Sequence, residues 1–163
     1  MTFDPAAFMD AQVDAPMATD FELCPEGEYQ FMIDDFDASI FQTQEFTYKK
    51  GPNAGQPGVM NKANIPFVCL DENVKQALKR DKVVVRTQIV FDLDEAGRIS
   101  TEKDKNVTLG RLRAALGQNE GPWSFQNLRG AGPLLGKVTH RNIAKEGEEP
   151  RYIAEVSRFG RIT

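Results

Sequence analysis

Five segments of the chain read as strands. In Glu28–Asp34 the residues Tyr29, Phe31 and Ile33 share one face, a period of two carried by aromatic and β-branched side chains. The turn residues Pro25-Glu26-Gly27 open that segment. Ile65, Phe67 and Cys69 alternate in a second strand, about Asn61 to Leu70, where Pro66 predicts an edge or a bulge. Val83–Asp92 has the clearest pattern: Val83, Val85, Thr87, Ile89 and Phe91 form one face, and Val84, Arg86, Gln88 and Val90 the other. Leu134–Arg141 and Arg151–Phe159 complete the set, joined by the charged loop Asn142–Pro150.

Between the strands the periodicity changes. Leu109, Leu112 and Leu116 recur at helical spacing, with Asn106 or Thr108 placed to cap the start and Gly117 placed just beyond the end. That predicts one strong helix over 106–117. Asp71–Arg80 reads as one or two helical turns, Asp94-Glu95-Ala96-Gly97 as a turn, and Gly121–Leu128 as a short turn region. Residues 37–60 have high β-propensity as far as Lys50 and then run into Gly51-Pro52-Asn53-Ala54-Gly55-Gln56-Pro57-Gly58. They read as a long, partly extended excursion projecting from the body.

Five strands with a helix between the third and fourth is the element order of the OB-fold, a small Greek-key barrel. The expected fold class is therefore mainly β: an OB-like five-stranded barrel over residues 28–163. A different β-sandwich and a small α+β domain are the competing readings. In the OB-fold the exposed face of strands 2–3, with the β1–β2 and β4–β5 loops, contacts oligonucleotides or oligosaccharides.

Charge adds a second feature. Residues 1–40 hold ten acids and no lysine or arginine, while residues 41–163 hold fourteen acids against twenty bases; −10 and +6 give the net −4. Residues 1–27, with only a weak helical pattern from Phe3 to Val13, read as an acidic N-terminal arm on a mildly basic body. A local positive surface suffices for nucleic acid, so an acidic total does not exclude it. No stretch reaches the ~18 consecutive apolar residues of a membrane span. The N-terminus lacks the basic and apolar regions of a signal peptide. Cys24 and Cys69, the only cysteines, form no CxxC. The expected location is the cytoplasm, in a host cell.

Catalytic chemistry finds little footing. His140 is the only histidine, and it lies in a predicted strand without a nucleophile–base motif around it. Asp34 and Asp35 are adjacent strand residues that point to opposite faces, and Asp92 and Asp94 flank a turn. Gly110-Arg111-Leu112-Arg113 lacks the Lys-Ser/Thr of a phosphate loop. No enzyme activity, cofactor or metal is expected.

Binding chemistry finds more. Single strands are held by cations along the backbone and aromatic rings under the bases. The excursion offers Phe41, Phe46 and Tyr48, followed by Lys49 and Lys50. The third strand offers Arg86; the last two strands and their loop offer Lys137, Arg141, Lys145, Arg151, Tyr152 and Arg158. Trp123 and Phe125 are assigned to the core under the helix, with base stacking the alternative for Trp123.

Four short stretches also carry a resemblance. They are Pro25-Glu26-Gly27-Glu28-Tyr29, Leu109-Gly110-Arg111-Leu112-Arg113 with Leu116-Gly117, Leu135-Gly136-Lys137-Val138, and Tyr152, Ala154, Glu155 and Val156. Together they resemble a family of small phage proteins often left as a domain of unknown function, similar in pattern to phage OB-fold single-stranded-DNA-binding proteins. The resemblance covers roughly residues 25–160. It implies a sequence-tolerant single-strand binder in phage DNA replication or recombination, with phage replication proteins or further copies of the chain as candidate partners and no membrane. Many such proteins end in an acidic recruiting tail. Here Ser157–Thr163 is basic and the acids sit at the other end. A virion structural or decoration protein, or a protein-interaction module acting through the arm, are the alternatives.

Overall fold

A computed structural model of the chain describes residues 2–19 and 21–162. The alternating segments form six strands: β1 (Gly27–Ile33), β2 (Phe41–Thr47), β3 (Pro57–Cys69), β4 (Val83–Phe91), β5 (Leu134–Asn142) and β6 (Tyr152–Gly160). All pair antiparallel in one sheet, in the order β2-β3-β1-β5-β6, with β4 along the opposite edge of β3. The described residues also form three α-helices, α1 (Pro5–Met9), α2 (Glu72–Leu78) and α3 (Val107–Ala115), and two short 3-10 turns at Ala38–Ile40 and Phe125–Leu128. The fold is mainly β, and α3 falls between β4 and β5.

Two expectations change. The sheet has six strands, not five, and it is open: among the described residues no ladder joins β4 to β6. The sixth strand arises in the excursion. Residues 41–47 pair with 57–63 from Phe41↔Ala63 to Thr47↔Pro57. The chain reverses through Gly51 and Gly55, both at positive φ, with the Tyr48 N–H donating to the Gln56 carbonyl and the Gly55 N–H to the Tyr48 carbonyl. Since β4 pairs only with residues 61–69, the end of this hairpin extends beyond the rest of the sheet as a two-stranded ribbon.

The sheet curls around its apolar face. Phe31, Ile33, Ile65, Phe67, Val85, Ile89, Leu134 and Val138 are all buried there. Phe67 stacks on Phe159 of β6 at 5.5 Å between ring centroids, so opposite ends of the sheet meet across the core. At the seam between β4 and β6 the Val156 N–H donates to Thr87 Oγ1 at 2.9 Å, with both residues buried. Among the described residues it is the one hydrogen bond between these two strands. Gly136 makes the close packing possible: a Cβ there would stand 2.7 Å from Val156 Cγ1 and 2.8 Å from Phe31 Cδ2.

Helix α3 packs Leu109 and Leu112 into the same core, against β4 and β6. Asn106 is its N-cap residue, but in the left-handed conformation and without capping a helical N–H. Its amide instead ties the loop together. Oδ1 accepts from the Asp92 N–H at 2.7 Å, and Nδ2 donates to the carbonyls of Asp92 (3.0 Å) and Ser100 (2.8 Å). Gly117 stands just past the helix at positive φ, as the spacing predicts.

The arm is exposed along residues 2–19, but its last residues are not. Cys24 is 4% exposed and belongs to the core cluster. Arg80 Nη2 donates to the Glu22 carbonyl at 3.0 Å, and Tyr29 Oη to the Pro25 carbonyl at 3.0 Å. The packed part of the chain thus begins a few residues before the first strand.

The seam makes a direct prediction. Thr87→Val keeps the volume but leaves the Val156 N–H buried without an acceptor, which costs about 1–3 kcal/mol. Denaturant unfolding should show that loss, and Thr87→Ser should lose less. Parent-like stability of Thr87→Val would show that closure does not depend on this bond.

Candidate nucleic-acid interface

Cross-strand partners share a face, and faces alternate along each strand. The buried residues Ala63, Ile65 and Phe67 of β3 and Val85, Thr87 and Ile89 of β4 fix the inner face. The outer face therefore carries Gln44 and Phe46 of β2, Lys62 and Asn64 of β3, and Arg86 and Gln88 of β4. It forms one band from the hairpin to the seam. Lys62 Nζ donates to Gln44 Oε1 at 2.7 Å across the β2–β3 pair.

At the hairpin end, Phe46 and Tyr48 meet edge to face with centroids 4.8 Å apart. Both rings lie over Gly58, where a Cβ would come within 2.6 Å of Phe46 and 2.8 Å of Tyr48. Glycine at this position lets two aromatic rings rest on bare backbone. Lys49 and Lys50 follow directly and are exposed. At the other end of the band, Asn64, Arg86 and Gln88 form one wall of a groove of about 740 Å3. Arg141, Ile153 and Glu155 of β5–β6 contribute the facing wall, and the chain from Phe21 to Cys24 also borders it.

The residues singled out from the sequence are therefore not one cluster. Phe46, Tyr48, Lys49 and Lys50 gather on the hairpin, and Arg86 and Arg141 on the groove. Arg141 is already occupied, its Nε donating to Glu155 at 3.0 Å. Phe41 is on the other face from Phe46. Its ring packs against Phe125 (5.0 Å) and Phe91 (5.8 Å), in a cluster that continues to Trp123. Lys137 and Arg158 are cross-strand partners on β5–β6, and Arg158 borders a separate hollow with Thr108 and Arg111. Lys145 sits on the β5–β6 loop, and Arg151 and Tyr152 at the start of β6, all exposed. Trp123 is half-buried. Its Nε1–H donates to Gln118 Oε1 at 3.0 Å, and the Arg113 guanidinium stands 4.7 Å from its ring.

Two residues went unnoticed in the sequence, Lys62 and Asn64; with Gln88, which alternation places on the outward face though not among the candidates, they line the outer face. The alternation that buries Ala63 and Ile65 was the signal for the first two.

Electrostatics separates free cations from occupied ones. Lys82 Nζ bonds Asp34 at 2.6 Å, and Arg129 Nη2 bonds Asp35 at 3.0 Å; these partners hold both carboxyls below the usual range. The two carboxylates thus serve different cations. Among the described residues Lys49, Lys50, Arg86, Lys137, Arg151 and Arg158 join no ion pair. Cations outside any ion pair, such as Lys49 and Lys50 beside the half-exposed Phe46 and the exposed Tyr48, suit a phosphodiester backbone with its bases turned to the protein.

His140 is bound into the fold. Its Nε2 lies 2.7 Å from the Cys24 carbonyl, and its backbone N–H donates to Glu26 Oε2 at 3.3 Å. Cys24 and Cys69 are free, buried thiols, and the Cys24 thiol donates to the Pro25 carbonyl at 3.8 Å; the influence of Cys69, with burial, pushes Cys24 up, while the influence of Cys24 draws Cys69 down. No group of three or more His, Cys, Asp or Glu residues is arranged to hold a metal among the described residues. Comparison with protein-family models, curated proteins and solved structures finds no match to this chain.

The placement of the rings is testable through stability. Phe67→Ala removes a fully buried ring and should cost about 3–5 kcal/mol. Tyr48→Ala and Phe46→Ala, on the exposed ribbon, should each cost under about 1 kcal/mol in the same denaturant titration. Destabilisation as large as that of Phe67→Ala would make the hairpin rings part of the core.

Proposed function

We propose that this chain is a sequence-tolerant single-stranded-DNA-binding protein of phage DNA replication or recombination, acting without catalysis in the host cytoplasm. The observation that carries the reading is the outer band of β2–β3–β4. An aromatic pair at one end with Lys49 and Lys50 on the loop that follows it, the unpaired Arg86 at the other end, and Lys62 and amides between them make up this surface. Rings stack on any base and cations follow any backbone, so such a band binds with little regard to sequence.

The connectivity supports the same reading. Without the β2 ribbon, the strands β1, β3, β4, β5 and β6 run in the order of an OB-fold barrel, with α3 between the third and fourth and the β4–β6 seam where the barrel would close. On this view the hairpin elaborates the connection between the first and second barrel strands, here β1 and the inner part of β3, and the β5–β6 loop with Lys145 is the second loop that borders the ligand face. The exposed apolar side chains of the arm, among them Phe8, Met9 and Met17, favour a second reading, a virion or protein-interaction role. Recovery of the chain from purified virions would support that alternative.

A fluorescence titration with labelled oligo-dT at two salt concentrations tests the proposal. Affinity should fall steeply with salt, since displaced counterions set the slope. Tyr48→Ala and Phe46→Ala should each weaken binding by about 1–3 kcal/mol with the slope unchanged. Lys49→Ala, Lys50→Ala and Arg86→Ala should each flatten the slope by roughly 0.7 for every phosphate the variant no longer neutralises. No binding at low salt, or parent-like binding by all five variants, would overturn the assignment.

A further inference from the structure

The groove beside Arg86 is bordered by the chain's own N-terminal segment. Phe21, Glu22, Leu23 and Cys24 lie along it with Arg80, Arg86 and Arg141. This foot of the arm is fastened at three points: Arg80 to the Glu22 carbonyl at 3.0 Å, His140 to the Cys24 carbonyl at 2.7 Å, and the His140 N–H to Glu26 at 3.3 Å. Cys24 is sealed in the core, yet Phe21 is 90% exposed and residues 2–19 are exposed throughout. An anchored foot fixes where the rest of the arm starts, and it starts at the groove.

The arm's chemistry complements that place. Asp4, Asp10, Asp14, Asp20, Glu22 and Glu26 carry its charge with no lysine or arginine, and Phe3, Phe8, Met9, Val13, Met17 and Phe21 are exposed apolar side chains. The groove offers Arg80 and Arg86, which meet no carboxylate among the described residues, beside the apolar Ile143 and Ile153. Acids spaced along a segment whose described residues are non-helical outside α1, with aromatic rings among them, present the same two chemistries as a single strand: negative charge and flat apolar surface.

We infer that the acidic arm is a displaceable occupant of the groove that competes in cis with single-stranded DNA. The inference rests on the single-strand-binding reading for its ligand, but arm docking can be measured without DNA. A tether gives an effective concentration of about 1 mM; against a weak interaction of ~0.1–1 mM it lowers apparent DNA affinity roughly two- to ten-fold. Charge attraction is screened by salt, so the effect is largest at low ionic strength.

The experiment uses the full chain, a variant lacking residues 2–19 that keeps the fastened foot, and Arg86→Glu. Cleavage at Asp4, Asp10 and Asp14 by an aspartate-specific protease reads docking directly, with a free peptide of residues 2–19 as the control for salt effects on the protease. Cleavage of the full chain should be slower than that of the peptide at low salt. High salt or Arg86→Glu should remove the difference, and oligo-dT should accelerate cleavage of the full chain. The truncated protein should bind oligo-dT roughly two- to ten-fold more tightly at low salt and equally at high salt. Cleavage at the peptide's rate at low salt, or equal or weaker binding by the truncated protein, overturns the inference. Salt-sensitive docking with no oligo-dT binding by either protein would instead refute the single-strand reading and, with it, the competition.

Discussion

The structure depends on one requirement: the inner face of a six-stranded sheet must be kept dry although the sheet has free edges. It is met by curling until β4 reaches β6. The buried rings of Phe31 and Phe67, with Phe159 stacked on Phe67, fill the space enclosed. Gly136 allows Val156 to approach Phe31 without a Cβ between them. Where the two strands meet, no ladder satisfies the backbone, so a buried side chain, Thr87, accepts the Val156 N–H. A buried donor without a partner is costly, and one hydroxyl here replaces the ladder bond.

Curling inward leaves an outward surface with its own composition. Alternation commits every second residue of β3 and β4 to the core, and the other set, which includes Lys62, Asn64, Arg86 and Gln88 with Val84 and Val90, is thereby turned outward. The β2–β3 ribbon lengthens this surface beyond the core and ends it with Phe46 and Tyr48 on Gly58. Core and candidate interface are therefore two faces of the same strands. Rigid strands hold the polar and aromatic groups in a fixed order, which suits contact with a repeating polymer.

Legibility in the sequence followed hydrophobic contrast. Val83–Phe91 alternates between buried and more exposed positions, with Arg86 and Gln88 among the latter, and its strand and faces were plain. Phe41–Thr47 is exposed on nearly every residue, so Gln42 and Gln44 differ little from Thr43 and Glu45, and a paired strand looked like an extended loop. Arg86 was legible as an outward cation because Val85 and Thr87 on either side of it belong to the inward stripe. The contacts of the partly exposed Phe41 ring were not legible, since its partners Phe91 and Phe125 lie 50 and more residues away. The foot of the arm escaped notice for the same reason: Cys24 is held by His140, 116 residues further along the chain. Asn106 was placed correctly at the helix start by residue type, but its side chain serves Asp92 and Ser100, which no local capping rule anticipates.

The central claim is that a single strand runs along the outer face of β2–β3–β4. Photo-crosslinking with a thymidine oligomer carrying 5-iodouracil, followed by peptide mapping, tests it most directly. The account predicts crosslinks at Phe46 and Tyr48 on the hairpin, with Arg86 and its neighbours on β4 protected from arginine-specific modification in the complex. Crosslinks confined to α2 or to the Trp123 cluster, with Arg86 modified as readily as in the free protein, would contradict it.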